Sequence, residues 1–181
     1  MLCLRIPGAV LVATRALPGV GKAIARRRAL VKRLRHACLG DPGDGCEVLA
    51  KLYEEGRDVD KSLAEAVRFY RAAGASLDID RLRGPLSSEC EQGMAAACVE
   101  VGILAEESHG TKSDLDSAVP FYERAGQAHA ANGCLRLGEL ASRGVSSAGG
   151  VQRAPALYRQ ACDGGDQSAC LRLGAALLDA T

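Results

Sequence analysis

Tryptophan is absent from this chain, and aromatic residues make up only 3% of its 181 positions. Sandwiches of β-strands lean on aromatic and β-branched side chains, so an apolar content of 48%, drawn mostly from Ala, Leu and Val, favours close-packed helices instead. Long apolar runs are missing too. The longest, Ile6 to Ala13, is broken by Pro7 and Gly8 and falls well short of the roughly 20 residues that cross a bilayer, which excludes an integral membrane span. There is no Cys-x-x-Cys, and His36, His109 and His129 stand at unrelated offsets, so no metal and no other cofactor is expected. The length suits one domain or a short repeat array rather than a multidomain enzyme.

Acidic side chains are absent from the first 40 residues, which hold nine Lys or Arg. The remaining residues carry 14 basic and 22 acidic groups, so a formal net charge of +1 conceals a body near −8. A nucleic-acid binder places its basic patch on the folded part, facing phosphate. Here residues 15–35 are the only candidate stretch for nucleic acid. Within it, LPGVGKAIA (17–25) resembles the hairpin of a helix-hairpin-helix motif, whose backbone amides bind phosphate. It fails as a P-loop because Ala16 and Ala23 replace the required Gly and Ser or Thr. With an acidic body behind it, the stretch reads better as a basic leader or tail over residues 1–35 than as a DNA-binding element.

Cysteine, by contrast, is plentiful: Cys3, Cys38, Cys46, Cys90, Cys98, Cys134, Cys162 and Cys170. Three pairs, 38/46, 90/98 and 162/170, share a separation of eight residues. Along one continuous helix eight residues span about 12 Å, too far for a disulfide, so any bridged pair must straddle a chain reversal. LGDPGDG and DGGDQSA between the first and third pairs are rich in turn residues.

Aligned on Cys46, Cys98, Cys134 and Cys170, the chain repeats in steps of 52, 36 and 36 residues. Three residues after the anchor stand Leu49, Val101, Leu137 and Leu173, and next to them Ala50, Gly102, Gly138 and Gly174, small enough for two helices to approach closely. Further on come Ala66, Ala118 and Ala154, then Phe69, Phe121 and Leu157, then Tyr70, Tyr122 and Tyr158, then Ala73, Ala125 and Ala161. Steps of three and four mark one helix face, and a period of 36 marks a solenoid of helix pairs. First helices are expected near 44–55, 94–107, 130–143 and 167–179, and second helices near 61–73, 114–125 and 152–162. Gly56 and Gly144 are expected to end two first helices. The extra residues of the long step, GASLDIDRLRGPLSSE, are expected to form a loop or a lengthened helix end.

AEAVRFYRAAG (64–74), DSAVPFYERAG (116–126), APALYRQACDGG (154–165) and ACDGGDQSACLRLG (161–174) resemble the Sel1-like repeat, a relative of the tetratricopeptide repeat. They are closest to its cysteine-rich subfamily, named after Helicobacter proteins. The resemblance covers about residues 36–181 and implies an all-α solenoid of about three and a half disulfide-stapled helix-turn-helix repeats. It implies staples Cys38–Cys46, Cys90–Cys98 and Cys162–Cys170. Gly126 occupies the column that would partner Cys134, which leaves Cys134 and Cys3 as expected unpaired thiols, with a pairing of the two with each other left open by the sequence.

Members of that family carry the name β-lactamase. Serine-class chemistry needs a Ser-x-x-Lys motif and the zinc class needs clustered histidines, and neither is present. The expected function is therefore a non-catalytic scaffold that takes a protein or peptide in the concave groove of the repeats. The alternatives implied by resemblance are β-lactam binding with slow hydrolysis and assembly work in the mitochondrial intermembrane space. Three structural disulfides imply an oxidising compartment, periplasmic or extracellular first, then the mitochondrial intermembrane space, with the cytoplasm still open.

Overall fold

A computed structural model describes residues 20–40, 44–107 and 112–178, mostly helix and with no strand among them. The helices are α1 (Val20–Gly40), α2 (Asp44–Glu55), α3 (Leu63–Ala73), α4 (Ser76–Glu91), α5 (Ala95–Glu107), α6 (Lys112–Gln127), α7 (Ala131–Ser142), α8 (Ala154–Asp163) and α9 (Gln167–Leu178). A short 3-10 turn at Val151–Arg153 leads into α8. The fold class is an all-α, disulfide-stapled solenoid of helix pairs, with the expected first and second helices reproduced to within three residues at every end. None of the described helices is long and apolar enough to cross a membrane.

Contacts divide the chain into two compact units, with the division at Pro85–Leu86. In the first, α2 packs against α1 and α3, and Cys38, Cys46, Leu49, Ala66, Val67 and Tyr70 form the core. Ser62 starts α3 by accepting a hydrogen bond from the Glu65 amide at 3.2 Å, and Gly74 ends it in the left-handed conformation, φ 73°. In the second unit, α5 packs on α6, α6 on α7, α7 on α8 and α8 on α9. Leu104, Ala118, Tyr122, Leu137, Leu140, Leu157 and Tyr158 are buried there.

Two findings depart from the sequence expectation. The inserted residues are neither a loop nor an extension of α3: they form a separate helix, α4, after the break at Gly74. Ile79, Leu82, Leu86 and Cys90 recur at steps of three and four and are all buried, and this stripe outweighs the helical hydrogen bond lost at Pro85. The boundary expected at residue 35 also falls inside a helix, α1. Its end carries Cys38, the position that closes a second helix elsewhere in the chain. Residues 1–19 lie outside the described residues.

Candidate functional site

One contact recurs between first and second helices. A Cβ added to Gly102 would come within 2.8 Å of the Tyr122 ring at Cδ1 and Cζ, and one added to Gly138 within 2.8 Å of the Tyr158 ring at Cδ1 and Cε1. Only glycine lets these rings approach the neighbouring backbone so closely without a shift. Gly174, the third glycine of that column, has nothing within 4 Å of such a Cβ. In the first unit Ala50 stands in the column, and it and Tyr70 are both fully buried.

Each tyrosine then spends its hydroxyl on the last turn of the preceding first helix. The Tyr70 hydroxyl donates to Glu54 Oε2 at 2.7 Å, the Tyr122 hydroxyl donates to Glu106, and the Tyr158 hydroxyl meets Ser142 Oγ at 3.1 Å. Arg81 also donates to both carboxylate oxygens of Glu54, at 2.5 and 2.9 Å, and Arg143 reaches Glu106 at 3.3 Å. The Arg81 hydrogen bond is the main cause holding the Glu54 carboxyl below the usual carboxylate range, with the Tyr70 bond adding to it and burial opposing it. Burial first, and the carboxylate acceptor second, push the Tyr70 and Tyr122 hydroxyls upward, so both stay protonated donors. The sequence columns revealed the rings but not their partners, although the constant offset of 16 residues in 54/70, 106/122 and 142/158 was there to be read.

The cysteine pairs lie where helices reverse. Cys38–Cys46, Cys90–Cys98 and Cys162–Cys170 are disulfides, with Cα atoms 4.6, 4.5 and 4.7 Å apart. Small residues before the anchor cysteine permit the approach. A Cβ on Gly45 would lie 3.0 Å from Ala37 Cβ and 3.1 Å from the Cys38 nitrogen. Gly133 shows the same closeness, 2.7 Å from Ala125 Cβ and 2.9 Å from the Gly126 nitrogen. Helices α6 and α7 are thus drawn together as in a stapled pair, with Gly126 supplying no sulfur.

Cys134 nonetheless corrects the sequence reading. It is disulfide-bonded rather than a thiol, and no cysteine among the described residues is free. The expectation of a free thiol rested on the repeat spacing of eight, whereas a disulfide can join residues of any separation once folding brings them together. Cys3 lies outside the described residues.

Gly126 and Cys134 line a pocket between α6, α7 and α8. Its volume is about 230 Å³, and it is lined by Tyr122, Leu137, Leu157, Gly126 and Cys134, with Glu123, Arg153, Gln127 and Gln160 also contributing. Arg153 and Glu123 face each other at 3.7 Å, both partly exposed. The pocket is smaller than the 300–1,000 Å³ typical of small-molecule sites. It suits one or two side chains of a larger partner, with apolar walls and a charged pair of either sign at the mouth. Among the described residues no group of three or more His, Cys, Asp or Glu could hold a metal ion.

Part of the basic stretch is committed to the first unit. Arg27 pairs with Asp58 at 2.9 Å. Arg35 donates to the Tyr53 hydroxyl at 2.7 Å and lies 6.0 Å over the Phe69 ring, which itself stacks on Tyr53 at 5.6 Å. Residues 15–19 of the candidate nucleic-acid stretch lie outside the described residues.

No model of a known protein family matches this chain, and no curated protein does. Among solved structures the chain is similar to a Sel1 repeat protein from Oxalobacter formigenes, at 22% identity and a TM-score of 0.45, covering 87% of this chain and 60% of that one. It is also similar to a protective antigen of uropathogenic Escherichia coli strains displaying an SLR fold, at 21% identity and a TM-score of 0.48, covering 84% of this chain and 36% of that one. The chain therefore spans less than two thirds of the length of either.

Proposed function

We propose that this chain is a cysteine-rich Sel1-like repeat scaffold that binds a short peptide segment of another protein, working in an oxidising compartment, extracellular or periplasmic. The pocket between α6, α7 and α8 carries the reading. It is a small slot of mixed lining, with Leu137 and Leu157 in its wall and Arg153 and Glu123 beside them, a combination that can accept a hydrophobic anchor and read the charge beside it. The remaining chemistry-bearing groups support binding over catalysis, because they are taken up in structure. The Tyr122 and Tyr158 hydroxyls are engaged by Glu106 and Ser142, and the cysteines of the staples are oxidised. Acyl transfer would need an activated nucleophile with a base in reach. The staples support the compartment, since reducing cytosol rarely maintains structural disulfides.

The test is selection of a random peptide library on the immobilised full-length protein. Because Cys134 in the pocket is disulfide-bonded, the selection is run on the wild type and on Cys134→Ser in parallel. Enrichment of a common apolar motif that binds with a Kd in the micromolar range, about −8 kcal/mol, is the expected result. No enrichment on either protein, or steady nitrocefin turnover near 1 per second or faster, as enzymes show, would refute it.

A further inference from the structure

Helices α5, α7 and α9 are first helices in one register, yet they are covered differently. The residue after the anchor cysteine is buried in α5 and α7, Val99 at 1% and Leu135 at 8%, but Leu171 in α9 is 77% exposed. Four residues after the anchor, Gly102 and Gly138 meet the rings of Tyr122 and Tyr158 from the following second helix, whereas among the described residues nothing lies within 4 Å of a Cβ added to Gly174. Helix α9 packs on α8 and leaves Leu171, Gly174, Ala175 and Leu178 exposed along one side. Its one charged side chain among the described residues, Arg172, is engaged by Glu139 of α7 at 2.6 Å. A terminal repeat of a soluble solenoid carries a polar outer face, and this face is apolar.

Helix α1 has the complementary form. Cys38 in its last turn is stapled to Cys46 of α2, as Cys162 of α8 is stapled to Cys170 of α9, so α1 stands in the place of a second helix. Counted back from the staple, Leu30, Leu34 and Ala37 occupy the columns of Ala154, Tyr158 and Ala161. Those three are buried in α8, whereas Leu30 and Leu34 are half-buried and Ala37 is exposed. The polar partners change in step. Where Tyr70, Tyr122 and Tyr158 meet Glu54, Glu106 and Ser142, α1 offers Leu34 in the tyrosine column and α9 offers Leu178 in the acceptor column. Hydroxyl and acceptor are lost together, so a contact between these two helices strands no polar group.

We infer that α9 of one copy takes α1 of a second copy as its second helix, with Leu34 on Gly174 in the manner of Tyr158 on Gly138. The occupant is argued from continuity with the repeat interface and from the paired change at Leu34 and Leu178. The contact is heterologous: a copy that gives its α1 still has an α9 to offer, so copies close into rings or run on as chains. One helix face on another is a small interface, and the association is weak, with a Kd on the order of 100 μM. It is independent of the pocket between α6, α7 and α8.

Sedimentation velocity of the intact, oxidised chain tests it, from tenfold below to tenfold above a Kd of about 100 μM. The weight-average mass of the wild type should rise with concentration from 18.8 kDa. Leu171→Arg, which sets a cation against the seven cations of α1, should stay at the monomer mass, and so should Leu34→Asp. An equimolar mixture of these two variants should form a one-to-one dimer, because each retains the face that the other has lost. A wild type that remains monomeric across the range overturns the inference. So does a mixture no heavier than its components, or a Leu34→Asp variant that associates like the wild type, the signature of α9 packing on α9. Circular dichroism checks that both variants are folded, and Ala37→Glu, at an exposed position on the same face of α1, takes the place of Leu34→Asp should that variant not fold. Failure of library peptides to bind sinks the peptide-receptor function and leaves this association standing.

Discussion

Replacing glycine by alanine at two equivalent repeat positions should shift stability in opposite directions. At Gly138 an added Cβ meets the Tyr158 ring at 2.8 Å, against a side chain that is itself 4% exposed and unable to retreat. At Gly174 the same atom meets nothing within 4 Å. Both residues lie inside helices, α7 and α9, so alanine brings the same gain of about 0.5–1 kcal/mol in helix propensity at each. Overpacking applies only at Gly138 and costs about 1–3 kcal/mol. The propensity gain cancels in the comparison, and Gly138→Ala should be less stable than Gly174→Ala by about 1–3 kcal/mol. For a chain of this size that corresponds to melting midpoints separated by roughly 2–12 °C. Thermal unfolding followed by helical circular dichroism, without reductant, measures it. Gly174→Ala should melt at or slightly above the wild type. Equal shifts in the two variants would show that the glycine–tyrosine contact is not what the α7 position requires.

Further expectations concern the staples and the tyrosines. Reduction with dithiothreitol should lower the melting midpoint substantially, because in the chain-entropy treatment each eight-residue staple is worth about 2.5 kcal/mol; an unchanged curve would mean the disulfides add nothing to stability. Tyr122→Phe leaves the ring on Gly102 and removes the hydroxyl donated to Glu106, and denaturant unfolding should report a loss of about 1.5–3 kcal/mol, the range for a hydrogen bond to a charged group. Because the folded Tyr70 and Tyr122 hydroxyls titrate above their ordinary value, their contribution is complete below about pH 10 and is lost as pH rises further. Glu54 has the opposite sign: its carboxyl is held low by Arg81, so its contribution is present above about pH 4.3 and is lost as pH falls through the folded value. Unfolding against pH should show that acid limb flattened in Glu54→Gln, and an unaltered limb would remove Glu54 from the explanation.

The repeat register was legible because it follows from helix periodicity alone. Columns such as Ala66, Phe69, Tyr70 and Ala73 mark one face of a second helix wherever they occur, and α3, α6 and α8 fall where those columns place them. Helix α4 was misread because Gly84 and Pro85 are strong turn signals. The stripe Ile79, Leu82, Leu86 and Cys90 that overrides them becomes decisive only once burial is known. Helix α1 was obscured by its charge, since seven cations without one acid suggest a leader more than a packing element. The staple spacing was visible in the sequence, yet the oxidised state of Cys134 was not, because a disulfide need not follow the repeat spacing. The pocket was equally hidden: it depends on Gly126, Cys134 and Arg153 lying on or beside three different helices, and no single-helix pattern brings them together.

Whether this chain receives peptides in that pocket is tested most directly by calorimetric titration of a library-selected peptide into the wild-type protein and into Arg153→Glu. Arg153 is 45% exposed at the pocket mouth, so reversing its charge should leave the helical spectrum unchanged. Saturable binding with a micromolar Kd, weakened about tenfold by Arg153→Glu, a loss of about 1.4 kcal/mol, is the predicted outcome. Equal affinity in the two proteins, or no heat of binding in either, would contradict a peptide receptor built on α6, α7 and α8.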